Sequence, residues 1–203
     1  MAKINRLTLA AAFSAIAVSA AFAQAPKGLE TAVFAGGCYW GTEAVFEHVK
    51  GVSNVVSGYA GGSASDANYR AVSEEITRHA ESVKISYDPS QISYDDLLLI
   101  FFATHDPTEV NRQGPDQGPS YRSAIFPQNP EQAAAARAFI DRVNAAHVYK
   151  RPIATRIEGG DFYPAEREMQ HYYDRNPSDP YIVANDRPKL KLLQQKLPQF
   201  YKD

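Results

Sequence analysis

Cys38 is the only cysteine in 203 residues. No internal disulfide can form, so no covalent staple can hold a small or loop-rich fold together. An apolar core must do that work. A hydrophobic fraction of 44% and a charged fraction of 22% meet that demand, and the length suffices for one full core. The formal net charge of −2 gives no basis for nucleic acid as a partner.

The lone thiol gains weight from what precedes it. Lys3 and Arg6 make a basic start, and Leu7 to Phe22 is apolar and free of acids. Ala21-Phe22-Ala23 is a small-x-small cleavage pattern before Gln24. Residues 1–23 therefore have the layout of a secretory signal peptide. The apolar run is too short and Ala-rich for a convincing membrane span; an uncleaved anchor is the competing reading. The expectation is an exported protein, periplasmic or secreted, with no membrane association once mature. Secreted domains usually pair their cysteines. A single thiol in an oxidising space is either buried and inert or kept for its reactivity.

After the leader, strand-like and helix-like segments alternate. Glu30 to Ala35 is a short β-like run ending at Gly36-Gly37. Cys38 to about Val49 has helical spacing, and Val52 to Tyr59 reads as a strand. Asn68 caps a possible helix to about Ile76. Val83, Ile85 and Tyr87 alternate with polar residues as a half-buried strand does. Ser93 starts a helix through Phe102, Asp106 to Pro119 reads as a loop, and Tyr121 to Phe126 as a strand. Pro130 to about Val148 is the clearest helix, with positions 136, 139, 140 and 143 on one face. Ile153 to Ile157 is a strand and Pro164 to Tyr173 a short helix; the tail to Asp203 is broken by prolines and expected to wrap the surface. This is an α/β (α+β) pattern, and residues 24–203 are expected to form a single domain.

The residues around Cys38 suggest a nucleophile. Gly36-Gly37 lets the chain turn sharply after a strand, and a helix starts at or just after the cysteine. Free N–H groups and the dipole at that end favour an anion and should lower the thiol's pKa. A buried, inert sulfur is the plain alternative. Tyr39 and Trp40 follow directly and could wall an apolar pocket or merely pack in the core. Glu81, at the entry to a strand, would keep its proton if placed against apolar neighbours and could serve as an acid. Taken alone it is more readily an exposed strand-edge acid. Tyr69, Asp116 and Tyr121 are each ambiguous in isolation.

Together these segments resemble the methionine sulfoxide reductase A family. Gly37-Cys38-Tyr39-Trp40-Gly41 is similar to its Gly-Cys-Phe-Trp-Gly, and Gly58-Tyr59-Ala60-Gly61-Gly62 to its next signature. Asn68-Tyr69, His79-Ala80-Glu81 with Tyr87-Asp88-Pro89, and His105-Asp106-Pro107-Thr108 through Tyr121-Arg122-Ser123-Ala124-Ile125 follow in order. Phe162-Tyr163-Pro164-Ala165-Glu166 resembles its C-terminal motif. Several long motifs in register are far more specific than any one pentapeptide.

The resemblance implies a mixed β-sheet flanked by helices with a ferredoxin-like plait core. It also implies a peptide-methionine (S)-S-oxide reductase acting on oxidised proteins or the free amino acid. Cys38 would attack the sulfoxide sulfur and become a sulfenic acid. Glu81 would protonate the departing oxygen. Tyr69 and Tyr121 would hydrogen-bond that oxygen, with Asp116 supporting them, and Tyr39 and Trp40 would hold the methyl group. No metal and no bound cofactor is implied.

Three departures stand out. Tyr39 replaces the usual Phe and adds a hydroxyl that needs a partner if buried. Met169 falls where the family often has His; only Gln170 and Tyr172 keep that pattern, which leaves the role of this helix open. Many members carry resolving cysteines near the C-terminus, and Asn176 to Asp203 has none. An external thiol, either a small one or a thioredoxin-like protein, would have to recharge Cys38. Two other classes compete: a cysteine hydrolase pairing Cys38 with one of His48, His79, His105, His147 or His171, and a non-catalytic exported binding module with Cys38 as packing.

Overall fold

The computed structural model describes residues 28–203, so the leader expected over residues 1–23 lies outside the described residues. Strand β1 (Glu30–Gly36) leads through Gly37 into helix α1 (Tyr39–Glu47), which is followed by β2 (Val52–Ala60). After a short helix α2 (Tyr69–Ser73), strand β3 (Ala80–Tyr87) runs antiparallel to both β1 and β2 and lies between them. This is a split β-α-β unit. Helix α3 (Tyr94–Thr104) then returns the chain to β6 (Ser123–Ile125), antiparallel to β1 on its other side. The order β6-β1-β3-β2 is the ferredoxin-like plait expected of the fold. Strands β7 (Arg156–Ile157) and β8 (Phe162–Pro164) extend it at the two edges.

Local signals account for the helix starts. The Asn68 side chain accepts from Ala71 N at 3.0 Å. Ser93 and Asp96 cap each other reciprocally at α3. Asn129 caps helix α4 (Pro130–Ala145), with Pro130 in its first turn.

The sheet separates two apolar layers, and β1 alternates between them. Ala32 and Phe34 join the large core formed with the helices, where Phe34 stacks on Phe101 at 4.9 Å. Val33 and Ala35 face a smaller layer with Ala60, Ala80, Ala124 and Phe126. Burial on both faces explains why this strand reads as an unbroken apolar run.

Three expectations need correction. The segment from Pro164 to Tyr173 is not one helix. It starts at the last residue of edge strand β8, makes a 3₁₀ turn at Arg167–Met169, and runs into the single-turn helix α5 (Tyr172–Arg175). The presumed loop from Asp106 to Pro119 contains a small hairpin, β4 (Arg112–Gln113) with β5 (Asp116–Gln117). The C-terminal tail does not simply wrap the surface. A π-helical turn at Ile182–Asp186 runs into helix α6 (Arg187–Lys196), which packs on α1 and α3 with Leu190 and Leu193 buried. Pro188 sits in the first turn of α6, where proline is tolerated, rather than breaking it.

Candidate active site

Cys38 is the residue immediately before α1 and lies at the helix's N-cap position. The turn that places it needs Gly37: φ is +86°, and a Cβ there would come within 2.5 Å of Gln113 Cβ. The sulfur is nearly buried, with Cys38 6% exposed. The first amide of α1, Tyr39 N, donates to Glu81 Oε2 at 3.1 Å. The thiol and the acid thus meet at one helix terminus, where Glu81 accepts from an N–H that the helix cannot satisfy internally.

Glu81 is on β3, directly across from Tyr59 on β2, and is only 3% exposed. Burial pushes its carboxyl up to about 8, against the lowering effect of the Tyr39 amide. At neutral pH it therefore holds a proton, as an acid donor must.

Cys38 departs from the sequence expectation. Burial pushes the thiol well above its usual range, helped by the carboxyls of Glu81 and Asp186; Lys189 and the Trp40 amide pull the other way. Desolvation outweighs the helix terminus. The resting sulfur is a thiol rather than the thiolate that the glycine turn and helix start suggest.

Burial pushes up the hydroxyls of Tyr69, at the start of α2, and Tyr121, in the 3₁₀ turn Pro119–Tyr121, and both lie near Glu81 and Cys38. Among the described residues neither hydroxyl has a hydrogen-bond partner, so both can serve a ligand. Their positions are fixed from behind. Glu166 Oε1 accepts from Tyr69 N at 2.8 Å while its Oε2 accepts from Tyr59 OH at 2.8 Å. Beside Tyr121, the Arg122 guanidinium grips Glu158 at 2.8 Å and donates to the carbonyls of Pro119 and Arg78. Asp116, on β5, is half-buried and accepts from the Tyr181 hydroxyl.

Tyr39 and Trp40 divide the role foreseen for both. Tyr39 is 1% exposed and belongs to the core; its added hydroxyl finds Tyr59 OH at 3.4 Å. Trp40 is half-buried, stacked on Tyr172 at 3.8 Å and met edge-on by Tyr181 at 6.0 Å.

The open question about the segment around Met169 is resolved by two contacts. Gln170 bonds both backbone groups of Ser57 at 2.9 Å, pinning the segment to β2, and Tyr172 covers Trp40. Sequence reasoning missed the contribution of the tail. Tyr172, Tyr181, Asp186 and Lys189 all come from residues after the last strand. Tyr172 alone had a signal in the family pattern; for Asp186 and Lys189 the signal is Gly41, where a Cβ would lie 2.1 Å from Asp186 Oδ1 and 2.9 Å from Lys189 Nζ.

The histidines do not assemble a hydrolase. His105 has both ring nitrogens occupied, by Phe101 O at 2.6 Å and Ser123 Oγ at 2.8 Å, and burial holds it down at about 4. His79 is committed to Gly62 N and Ser63 O, His48 to Ala44 O, and His171 to Glu47. Among the described residues none is bonded to Cys38.

A family model described as "Peptide methionine sulfoxide reductase" matches residues 30–200. The chain is 50% identical over 182 residues to "Peptide methionine sulfoxide reductase MsrA 2" of Mesorhizobium japonicum, covering 89% of this chain and 93% of that protein. It is 53% identical over 171 residues to the protein of the same name from Synechocystis sp., covering 83% and 80%. Among solved structures it is similar to Mxr1 from Saccharomyces cerevisiae in reduced form, with a TM-score of 0.68 and 31% identity over 76% of this chain and 92% of that one. Methionine sulfoxide reductase A of Corynebacterium diphtheriae gives a TM-score of 0.64 and 34% identity, over 74% and 76%.

Proposed function

The chain belongs to the peptide methionine sulfoxide reductase A family and is a thiol-dependent reductase of methionine (S)-S-oxide; we propose that all its redox chemistry runs through Cys38. The observation that carries this reading is the shared helix terminus, where the thiol stands at the N-cap and a protonated, buried carboxyl is held by the adjacent amide.

The sulfur of Cys38 attacks the sulfoxide sulfur. Glu81 gives its proton to the sulfoxide oxygen, and the proton lost by the thiol replaces it. The oxygen ends on Cys38 as a sulfenic acid and methionine leaves, so atoms and protons balance without any bound cofactor. Tyr69 and Tyr121 donate to the oxygen as it gains charge. Asp116 supports them through Tyr181. Trp40 takes the substrate's methyl group on its uncovered side, and Tyr39 backs it from the core.

The chain has no second sulfhydryl, so the sulfenic acid passes to an external thiol. One thiol forms a mixed disulfide with Cys38 and releases water; a second displaces Cys38 and leaves as a disulfide. A thioredoxin-like protein or a small thiol fits this cycle, with oxidised proteins or free methionine sulfoxide as substrate. The basic start, apolar run and Ala21-Phe22-Ala23 support export to the periplasm or beyond, with the mature chain starting at Gln24.

The test is sulfoxide reduction by the mature protein with glutathione, dithiothreitol and a thioredoxin-fold donor. Wild type should turn over with at least one donor, and Cys38→Ser should not with any. Turnover by Cys38→Ser would move the reaction away from this sulfur. Peptide or ester cleavage lost in the same variant would point to a hydrolase instead.

A further inference from the structure

The two hydroxyls offered to the sulfoxide oxygen stand on separate, short pieces of chain. Tyr69 opens the helix α2, and Tyr121 closes the 3₁₀ turn Pro119–Tyr121. Elements this short do not hold their shape alone, so tertiary bonds must fix them. Glu75, just past the end of α2, supplies such bonds. Its Oε2 accepts from Ser120 N at 3.1 Å, and its Oε1 accepts from the Ser120 hydroxyl. Ser120 is only 2% exposed, so water competes little for either bond.

Two backbone features accompany this carboxylate. Glu75 has a φ of +57°, a left-handed conformation that favours glycine and that a residue with a side chain adopts at a cost. Glycine would make the bare turn more easily, so the side chain answers a need other than the turn. Gly118 lies where a Cβ would come within 2.1 Å of Glu75 Oε1. The chain entering the Tyr121 turn is thus bare where the carboxylate closes on it. The rest of the turn is held by other groups: Tyr121 N donates to Gly118 O at 3.1 Å, and Pro119 O accepts from Arg122 at 2.9 Å. Among the described residues Glu75 is the only one whose side chain bonds Ser120.

We propose that Glu75 is a positioning residue for Tyr121: it ties the turn that carries this hydroxyl to the segment that carries Tyr69, so that both donors meet one sulfoxide oxygen. It acts through Ser120, not on the substrate. A donor that is slightly displaced loses much of the stabilisation it gives to developing charge. The inference rests on the reading of Tyr121 as a donor to that oxygen.

The test is a double-variant cycle in the full mature chain. The readouts are the rate of the first turnover on a methionine sulfoxide peptide, without added thiol, and urea unfolding. Glu75→Ala should lower the first-turnover rate at saturating peptide about tenfold, with a smaller change in the half-saturating concentration. Glu75→Gln keeps an oxygen for Ser120 N and an amide for its hydroxyl, and should recover most of that rate. Tyr121→Phe should lower the rate at least as much as Glu75→Ala. In the Tyr121→Phe background, Glu75→Ala should change the rate less than about twofold, while its effect on unfolding stays as it is in wild type. A tenfold loss in both backgrounds overturns the proposal, because Glu75 would then act on the fold rather than through Tyr121. So does a folded Glu75→Ala protein with the wild-type rate. Should Glu75→Ala fail to fold, Glu75→Gly, which suits the left-handed backbone, takes its place with the same expected loss. A wild-type rate in Tyr121→Phe would remove the tyrosine's role and the proposal together, whereas the two preceding results overturn the proposal alone.

Discussion

At the scale of single residues, two neighbouring environments set opposite tasks by the same physics. Burial raises both Glu81 and Cys38, which leaves one a proton donor and the other an undissociated thiol. Glu81 carries a cost in stability with a definite sign. Its folded value of about 8 exceeds the unfolded carboxylate value of about 4.3, so the folded state binds the extra proton between those limits. The stability this proton confers is fully present below about pH 4 and is lost as pH rises through about 8. Glu81→Gln should remove that slope, at most about 1.4 kcal/mol per pH unit, and be more stable than wild type at pH 8–9. Urea unfolding across this range checks it, and a slope unchanged by the substitution would contradict it. The same variant should lose sulfoxide reduction by orders of magnitude, while wild-type rate falls as pH passes about 8. Gly41→Ala is a second case in which two effects compete. Helix propensity favours Ala by about 1 kcal/mol. The 2.1 Å approach to Asp186 opposes it, and overpacking of a buried site costs about 1–3 kcal/mol. The variant should therefore melt below wild type.

At the scale of elements, helix α6 is as much a part of the site as β3 is. It delivers Lys189, and the turn before it delivers Tyr181 and Asp186. Leu193 is 0% exposed and anchors α6 in the main core. Leu193→Ala should cost about 2–5 kcal/mol in urea unfolding. It should also slow sulfoxide reduction, because α6 packs on α1, whose N-cap is Cys38; full activity in a destabilised variant would show that the site does not depend on α6. This element was the least legible in the sequence. Pro177, Pro180, Pro188 and Pro198 read as breaks and hid the helical spacing of Leu190, Leu193 and Leu197. By contrast, the Asn68 cap, Ser93 and the alternation in β3 announced their elements, because capping and strand burial are local matters. The edge strand β8 went unread, and its last residue, Pro164, was taken as the start of a helix. Only its pairing with β2 distinguishes the two, and that pairing joins residues about a hundred positions apart.

At the scale of the whole molecule, the site is a meeting of segments from the entire chain. Cys38 comes from the first crossover, Glu81 from the middle of the sheet, Tyr121 from the turn before β6, and Tyr172 and Lys189 from beyond the last strand. The motifs named most of these residues because their types and order are preserved. They could not give the net electrostatics, which depend on burial and on the tail lying against Gly41. That is why the acid was legible and the protonation of the thiol was not. The absence of a second sulfhydryl is likewise a property of the whole sequence, and it limits the reaction to one reducing equivalent pair per enzyme before outside help is needed. Mass spectrometry after exposure to excess methionine sulfoxide peptide, with no added thiol, measures this directly. The account predicts one methionine formed per enzyme and a single added oxygen, located on Cys38. Two products per enzyme, or oxygen on any other residue, would contradict it.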